Sequence, residues 1–477
     1  MEKPRQRSSS RRFFVCIAIG FALLLIGLSV ALIVVRNQLI SRKQRLNEVA
    51  KQQGITLSWG ERIPWGRPYD RHLKPMHDIV SDYFHEVVHV HDSDKIKDLP
   101  ASFLDDLNHY SHLDKFKWYT SRHSAEIARL LSHQQNLGTL VFYTKNIQDC
   151  DLEPIQRFSS LTNLEIDGLE SKHLTGRFLR ALVGQTPLLE KLQLYNINLD
   201  DEACDAIGNL TSVQSLDLGG SQFTSDSVKT FAKLSALKHL VVDQTIFDER
   251  FTTAIGSLSA LTTLHAPGSS LTSESANSLA KLSGLKELDV AKTAVDDRFG
   301  VTLGALSNLE DLNVTGTALT SKGLQDLEHC RALERLETGG KSGGPQLLAH
   351  LRHCLRLRDA DIVWTGSFSE SDLASFNALP DLTYLYFADI GDSEASHLLQ
   401  CEHMIGLDIR SNRLTLDGIR SLMQMPDLHF LALAGKVWGP ELVDVLYESP
   451  TLEHVRILDR IWEWWEFEDL RKRLRTQ

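Results

Sequence analysis

Between Leu189 and Thr338 the apolar positions follow one short formula, repeated. The unit L-x-x-L-x-L reads "LEKLQL" (Leu189–Leu194), "VQSLDL" (Val213–Leu218) and "LKHLVV" (Leu237–Val242), then continues as "LTTLHA", "LKELDV", "LEDLNV" and "LERLET". From Leu216 through Leu240, Leu264, Leu288 and Leu312 to Leu336 the step is 24 residues each time. The L-x-L alternation predicts a short strand, with two side chains inward and the intervening one outward. A polar turn follows, such as "GGSQFTSDS", in which Ser or Thr is suited to cap the next element. "SVKTFAKLSAL" and "ANSLAKLSGL" then carry apolar residues three and four apart, predicting a short helix that faces back onto the strand. One such unit cannot bury its own apolar face, whereas stacked units bury a continuous core.

Weaker copies extend the array. Upstream are "LTNLEI", "LGTLVF" and "LDKFKW", with a possible first strand at Val87–Val90. Downstream are "LRDADI", "LTYLYF", "MIGLDI", "LHFLAL" and "LEHVRI", which brings the array to about sixteen turns. The spacing is irregular near Val90 and Leu164, with 28-residue steps, and around Leu385 and Leu407, with steps of 25 and 22. This pattern resembles the leucine-rich-repeat family. The expected fold is therefore α/β: a solenoid or horseshoe over residues 86–459, with a parallel concave sheet and short convex helices. The closing stretch "DRIWEWWEFEDLRKRLRTQ" sets Trp462, Trp465 and Leu470 on an amphipathic run, read as a capping helix over 460–477. A membrane-interfacial helix is the alternative, and Glu463, Glu466, Glu468 and Asp469 weigh against it.

The N-terminus changes the topology. Phe13–Val35, "FFVCIAIGFALLLIGLSVALIVV", is 23 residues without a charge. At about 1.5 Å per residue it would span the roughly 30 Å hydrocarbon layer. No A-x-A-like cleavage site follows, so a transmembrane signal anchor over 13–35 is expected. Residues 1–12 form a basic cytoplasmic tail and 36–85 a juxtamembrane stalk and N-terminal cap. Lys and Arg flank the segment on both sides, and the preferred orientation places the large C-terminal body across the membrane. The basic tail, the anchor and the segment "NEVAKQQGITLSW" together resemble single-pass bacterial leucine-rich-repeat proteins. That resemblance implies a membrane protein with an extracytoplasmic repeat domain, and brings no catalytic residues with it.

Charge sharpens the choice of partner. The net charge is -11, but residues 1–51 hold ten Lys/Arg against two acids, which leaves -19 for the remainder. So acidic a body argues against nucleic acid. Outward strand positions supply the candidate binding residues: Asp217, Asp243, Glu287, Asp289, Asp311, Asn313, Glu337, Asp359, Asp361, Tyr384, Tyr386, Asp408 and Arg410. A mostly acidic groove with a C-terminal aromatic patch suits a protein or an envelope polymer, recognised by shape and charge.

Other chemistry finds little support. His85, His89 and His91 lie close in "FHEVVHVHD", but no H-E-x-x-H spacing accompanies them, and no metal is expected. Cys330 and Cys354 stand one repeat apart, near enough for a disulfide, yet at a corner where small buried thiols also fit; reduced thiols are preferred. "LETGGKSGGPQLL" looks like a phosphate loop, but the first glycine of such a loop would fall at Arg335. "LALAGKVWGPELV" repeats the same design 95 residues later, with Val437 in place of Ser342. It is read as a variant turn. No cofactor and no enzymatic activity are expected.

Overall fold

The computed structural model describes residues 38, 41–52, 56–61, 85–91, 115–118, 137–143, 147–169, 171, 173–338, 345–361, 379–401, 403–435 and 441–457. The expected anchor (13–35), the phosphate-loop-like turn around Gly340–Gly344, its copy at Lys436–Pro440 and the expected capping helix (460–477) lie outside them. Among the described residues no helix is long and apolar enough to cross a membrane. The chain divides into two compact units, Met1–Ile166 and Asp167–Gln477.

The first unit opens with a helix over 41–52 that buries Leu46 and Ala50. β1 (Thr56–Glu61) runs antiparallel to β2 (His85–His91), with an irregularity between Ser58 and Trp59. The apolar pattern predicts β2, whereas β1 falls within the expected stalk, because "TLSWGE" carries only two alternating apolar residues before a Pro-rich stretch. β2, β3 (Lys115–Trp118) and β4 (Thr139–Tyr143) pair in parallel, and β5 (Asn163–Asp167) follows. Phe116 and Phe142 are buried with ring centroids 6.2 Å apart.

In the second unit the expected repeat is plain. β6 (Lys191–Tyr195), β7 (Ser215–Asp217), β8 (His239–Val241), β9 (Thr263–His265), β10 (Glu287–Asp289) and β11 (Asp311–Asn313) pair in sequence order, all parallel. β12 (Arg335–Glu337), β13 (Asp359–Asp361), β14 (Tyr384–Ala388), β15 (Gly406–Arg410), β16 (Phe430–Ala434) and β17 (His454–Ile457) continue the order. The central leucines are buried in register: Leu216, Leu240, Leu264, Leu288, Leu312 and Leu336 are each no more than 1% exposed. Just before each strand one carbonyl accepts two amides from the next turn. Gln214 O takes Lys238 N and His239 N, and Lys286 O takes Glu310 N and Asp311 N. The column survives the irregular steps, since Arg358 O takes Thr383 N and Tyr384 N, and Thr383 O takes Ile405 N and Gly406 N. The additions and deletions of one or two residues are therefore absorbed after the strands, not in them.

The elements behind the sheet differ from the uniform short helices expected. Asp201–Asn209 and Glu249–Ile255 are α-helical, whereas "SVKTFAK" (Ser227–Lys233) and "SANSLAK" (Ser275–Lys281) are 3-10 helices. Spacing explains the difference. Buried residues in the α turns step by four and then three: Ala203, Ile207, Leu210; Phe251, Ile255, Leu258; Phe299, Leu303, Leu306. In the intervening turns they step by three throughout: Val228, Phe231, Leu234; Ala276, Leu279, Leu282; Leu324, Leu327, Cys330. A helix of 3.0 residues per turn stacks i, i+3 and i+6 on one face, while an α-helix aligns i, i+4 and i+7.

Capping follows the same alternation. Asp200, Asp248 and Asp296 begin the four-then-three turns, and each side chain accepts from a backbone N–H of the first turn. Thr224, Thr272 and Thr320 hold the equivalent places in the others. The left-handed position after the strand is Asn196, Gln244 and Lys292 in one class, and Gly220, Gly268 and Gly316 in the other. The structural module is thus two repeats, 48 residues. Its halves interlock closely: a β-carbon at Gly208 would sit 2.6 Å from Thr230 Cβ, and one at Gly256 2.8 Å from Ser278 O.

Candidate binding face

Outward positions of the second unit's sheet form columns, because register places residue i beside i+24. Expected site residues flank the buried central leucines on this face: Asp217 beside Leu216, Glu287 and Asp289 about Leu288, Asp311 and Asn313 about Leu312. Most are half-buried, and Glu337 is exposed. The side chain of Asp361 lies outside the described ones.

Many carboxylates already have partners. Arg335 donates to Asp311 through Nε at 2.8 Å and through a second guanidinium nitrogen. Lys286 donates to Glu310 at 2.8 Å, Arg358 to Glu334 at 2.9 Å, and Arg356 also pairs with Glu334. His265 and Glu287 meet at 2.8 Å. These pairs border a groove of about 640 Å³ that runs along the strand starts from His239 to Tyr384. Lys286, Glu310, Glu334 and Arg358 precede the strands and were not among the expected site residues. The signal was present, as opposite charges one repeat apart, but it is readable only once the register is known. At this edge the groove is a ladder of opposite charges, Arg335 with Asp311, Lys286 with Glu310 and Arg358 with Glu334.

Acidity persists on the neighbouring column. Tyr195 donates to Asp217 at 2.9 Å, and Asp289 accepts from Ala291 N at 2.8 Å. Asp243 follows β8 with one carboxylate oxygen buried and without a hydrogen-bond partner. Burial, then the charges of Asp217 and Asp289, push its carboxyl up to about 6 against the pull of His265. Burial likewise raises Asp359, opposed by Arg335, and Asp408, opposed by Arg410 and Arg456.

Tyr384 and Phe430 have ring centroids 5.8 Å apart, and the Arg410 guanidinium lies 5.2 Å from the Tyr386 ring.

Remaining candidates separate from this face. Cys204, Cys330, Cys354 and Cys401 are buried free thiols, and Cys150 is an exposed one. Cys330 Sγ donates to Leu303 O at 3.4 Å, and Cys354 Sγ to Leu327 O at 3.4 Å. Burial pushes the Cys330 thiol up to about 12 and Cys354 up to about 11. Among the described residues no group of three or more His, Cys, Asp or Glu side chains is placed to hold a metal ion. The side chains of His85, His89 and His91 are not among those described.

Comparison with known proteins agrees with the repeat class. Residues 179–403 match the family described as a leucine-rich repeat region, and over them the parallel strands stack as a repeat solenoid. No curated relative matches the chain. Solved structures similar to it include an internalin from Listeria monocytogenes (16% identity, 72% of this chain and 96% of that one, TM-score 0.46). A leucine-rich-repeat protein of Leptospira interrogans is similar at 19% identity, covering 79% and 91%, with TM-score 0.43. The TLR13–ssRNA13 complex is similar at 14% identity, covering 78% and 65%, with TM-score 0.47.

Proposed function

We propose that this protein is a binding scaffold of the bacterial envelope, held by a single membrane anchor at residues 13–35, with the repeat body outside the cytoplasm. Its sheet face, the concave side of the expected horseshoe, recognises a macromolecular partner, a protein or an envelope polymer, and works by binding rather than by chemistry. The observation that carries this reading is the carboxylate cluster of Asp217, Asp243 and Asp289. Asp243 keeps a buried carboxylate oxygen without a partner beside Asp217 and Asp289, an arrangement that costs stability and that a cationic partner group would relieve. Each position is fixed by stacking, so the face is preorganised for an extended ligand. Twelve strands at about 4.8 Å present an arc of roughly 50 Å, enough for an interface of ordinary size.

Affinity capture from native membranes tests the proposal, using the full chain and a variant with Asp289, Asp311 and Asp361 each changed to Lys. The reading expects a partner recovered with the parent and lost with the variant. Recovery of the same partners in the same amounts by both would overturn it. A C-terminal reporter fused at Gln477 tests the orientation separately.

A further inference from the structure

The face of β14 to β17 differs in chemistry from the acidic strands before it. Register places Tyr384, Gly406 and Phe430 in one column, and Tyr386, Asp408, Ala432 and Arg456 in the next. Gly406 has no side chain to separate its neighbours, so the rings of Tyr384 and Phe430 meet across it at 5.8 Å. They form an apolar platform two strand spacings long, about 9.6 Å. Beside it Asp408 has a buried oxygen, Oδ1, with no hydrogen-bond partner. Arg410 reaches the Tyr386 ring, and the charges of Arg410 and Arg456 both act on Asp408. Ala432, between Asp408 and Arg456 in register, is fully buried.

The patch therefore offers an unsatisfied acceptor, guanidinium donors and an aromatic floor within a few side chains. A cationic group that reached Asp408 would be repelled by Arg410 and Arg456. An anion would satisfy the arginines but leave the Asp408 oxygen without a donor and close to a like charge. A neutral polyol meets every requirement, since each hydroxyl both donates and accepts. The apolar ring face of a sugar suits a flat aromatic surface, and the platform is long enough for about two pyranose rings.

We propose that the β14–β17 face is a binding site for a neutral oligosaccharide, which stacks on Tyr384 and Phe430, donates a hydroxyl to Asp408 and accepts from Arg410 and Arg456. This deepens the proposed function and rests on its claim that the sheet face is a ligand surface.

The test uses the full chain in lipid nanodiscs, free of sugar detergents. Saturation-transfer NMR and calorimetry measure binding of cellohexaose, chitohexaose and maltohexaose, with hexalysine and hexaglutamate as charged controls. At least one hexaose is expected to bind with a dissociation constant on the order of 1 mM or tighter. Tyr384→Ala and Asp408→Asn each weaken it about tenfold or more, whereas Tyr384→Phe retains it and Val301→Ser, exposed on the helix Gly300–Ala305, leaves it unchanged. Binding of no hexaose overturns the inference. So does hexaose binding that is indifferent to Tyr384→Ala and Asp408→Asn in variants that melt like the parent, and so does a charged peptide as the preferred ligand of these residues. If hexaose binding fails while partner capture still depends on Asp289, Asp311 and Asp361, only this inference falls. If both fail, the reading of the sheet face falls with it.

Discussion

Gly406 lies so close beneath Tyr384 that a β-carbon there would stand 2.5 Å from Cδ2 of the tyrosine ring. The absence of a side chain at 406 is what allows the ring to lean across its strand toward Phe430. Gly406→Ala should push the half-exposed ring aside without harming the buried leucines. The expected result is loss of tyrosine signal in the near-ultraviolet circular dichroism, with stability lowered by no more than about 1 kcal/mol. An unchanged spectrum would mean the rings are held together by something other than the glycine gap.

The two-repeat module makes a second prediction. Deleting Thr224–Leu271, 48 residues, removes one 3-10 turn and one α turn and joins like to like. Deleting Thr224–Phe247, 24 residues, sets two α turns against each other and brings Gly208 opposite a partner shaped for a different neighbour. The shorter deletion should be the more damaging, by about 1–3 kcal/mol of misfit at the new junction. Denaturant titration of both variants decides it.

Asp243 gives a pH dependence with a definite sign. Its carboxyl titrates near 6 in the folded protein and at the model-peptide value of 3.8 when unfolded. Below the lower value both states are protonated and nothing is lost. As pH rises from about 4 to 6 the unfolded chain releases its proton first, and stability falls. Asp243→Asn should therefore be nearly neutral near pH 3.5 and stabilising at pH 7, by less than the full shift implies because the half-exposed carboxyl is screened by solvent. Asp217, His265 and Asp289 face the same group, so the comparison is best made as melting curves of parent and variant across this window.

Thiol chemistry should be confined to the surface. Of the described cysteines, a maleimide added to the native protein should label Cys150 and spare Cys204, Cys330, Cys354 and Cys401 until denaturant is added. Peptide mapping by mass spectrometry reads this directly. Rapid native labelling of Cys330 or Cys354 would contradict their burial.

The sequence shows some of this architecture openly and hides the rest for physical reasons. Strand positions are legible because Leu216 to Leu336 are all buried at one period, and burial tolerates little substitution of chemistry. The α and 3-10 alternation was also written in the chain, in Asp200 against Thr224 and in the spacing of Ile207 against Phe231. The strand leucines keep the same phase in both kinds of turn, and that common phase conceals it. β1 was missed because an edge strand of six residues, with two apolar positions, carries almost no periodic signal. At the binding face, the residue types pointing outward were readable from alternation alone. Which carboxylates are neutralised was not, since Asp311 meets Arg335 only through cross-strand register. The gap at Gly406 and the unsatisfied oxygen of Asp408 depend on side-chain packing that no one-dimensional pattern records.

The claim that the sheet face is the ligand surface is tested most directly by site-specific photocrosslinking in intact cells. A benzophenone amino acid would replace Glu337, exposed on β12, or Val301, 76% exposed on the helix Gly300–Ala305. The account predicts a higher-mass adduct from position 337 and none from 301. Adducts formed equally from both positions, or from 301 alone, would contradict it.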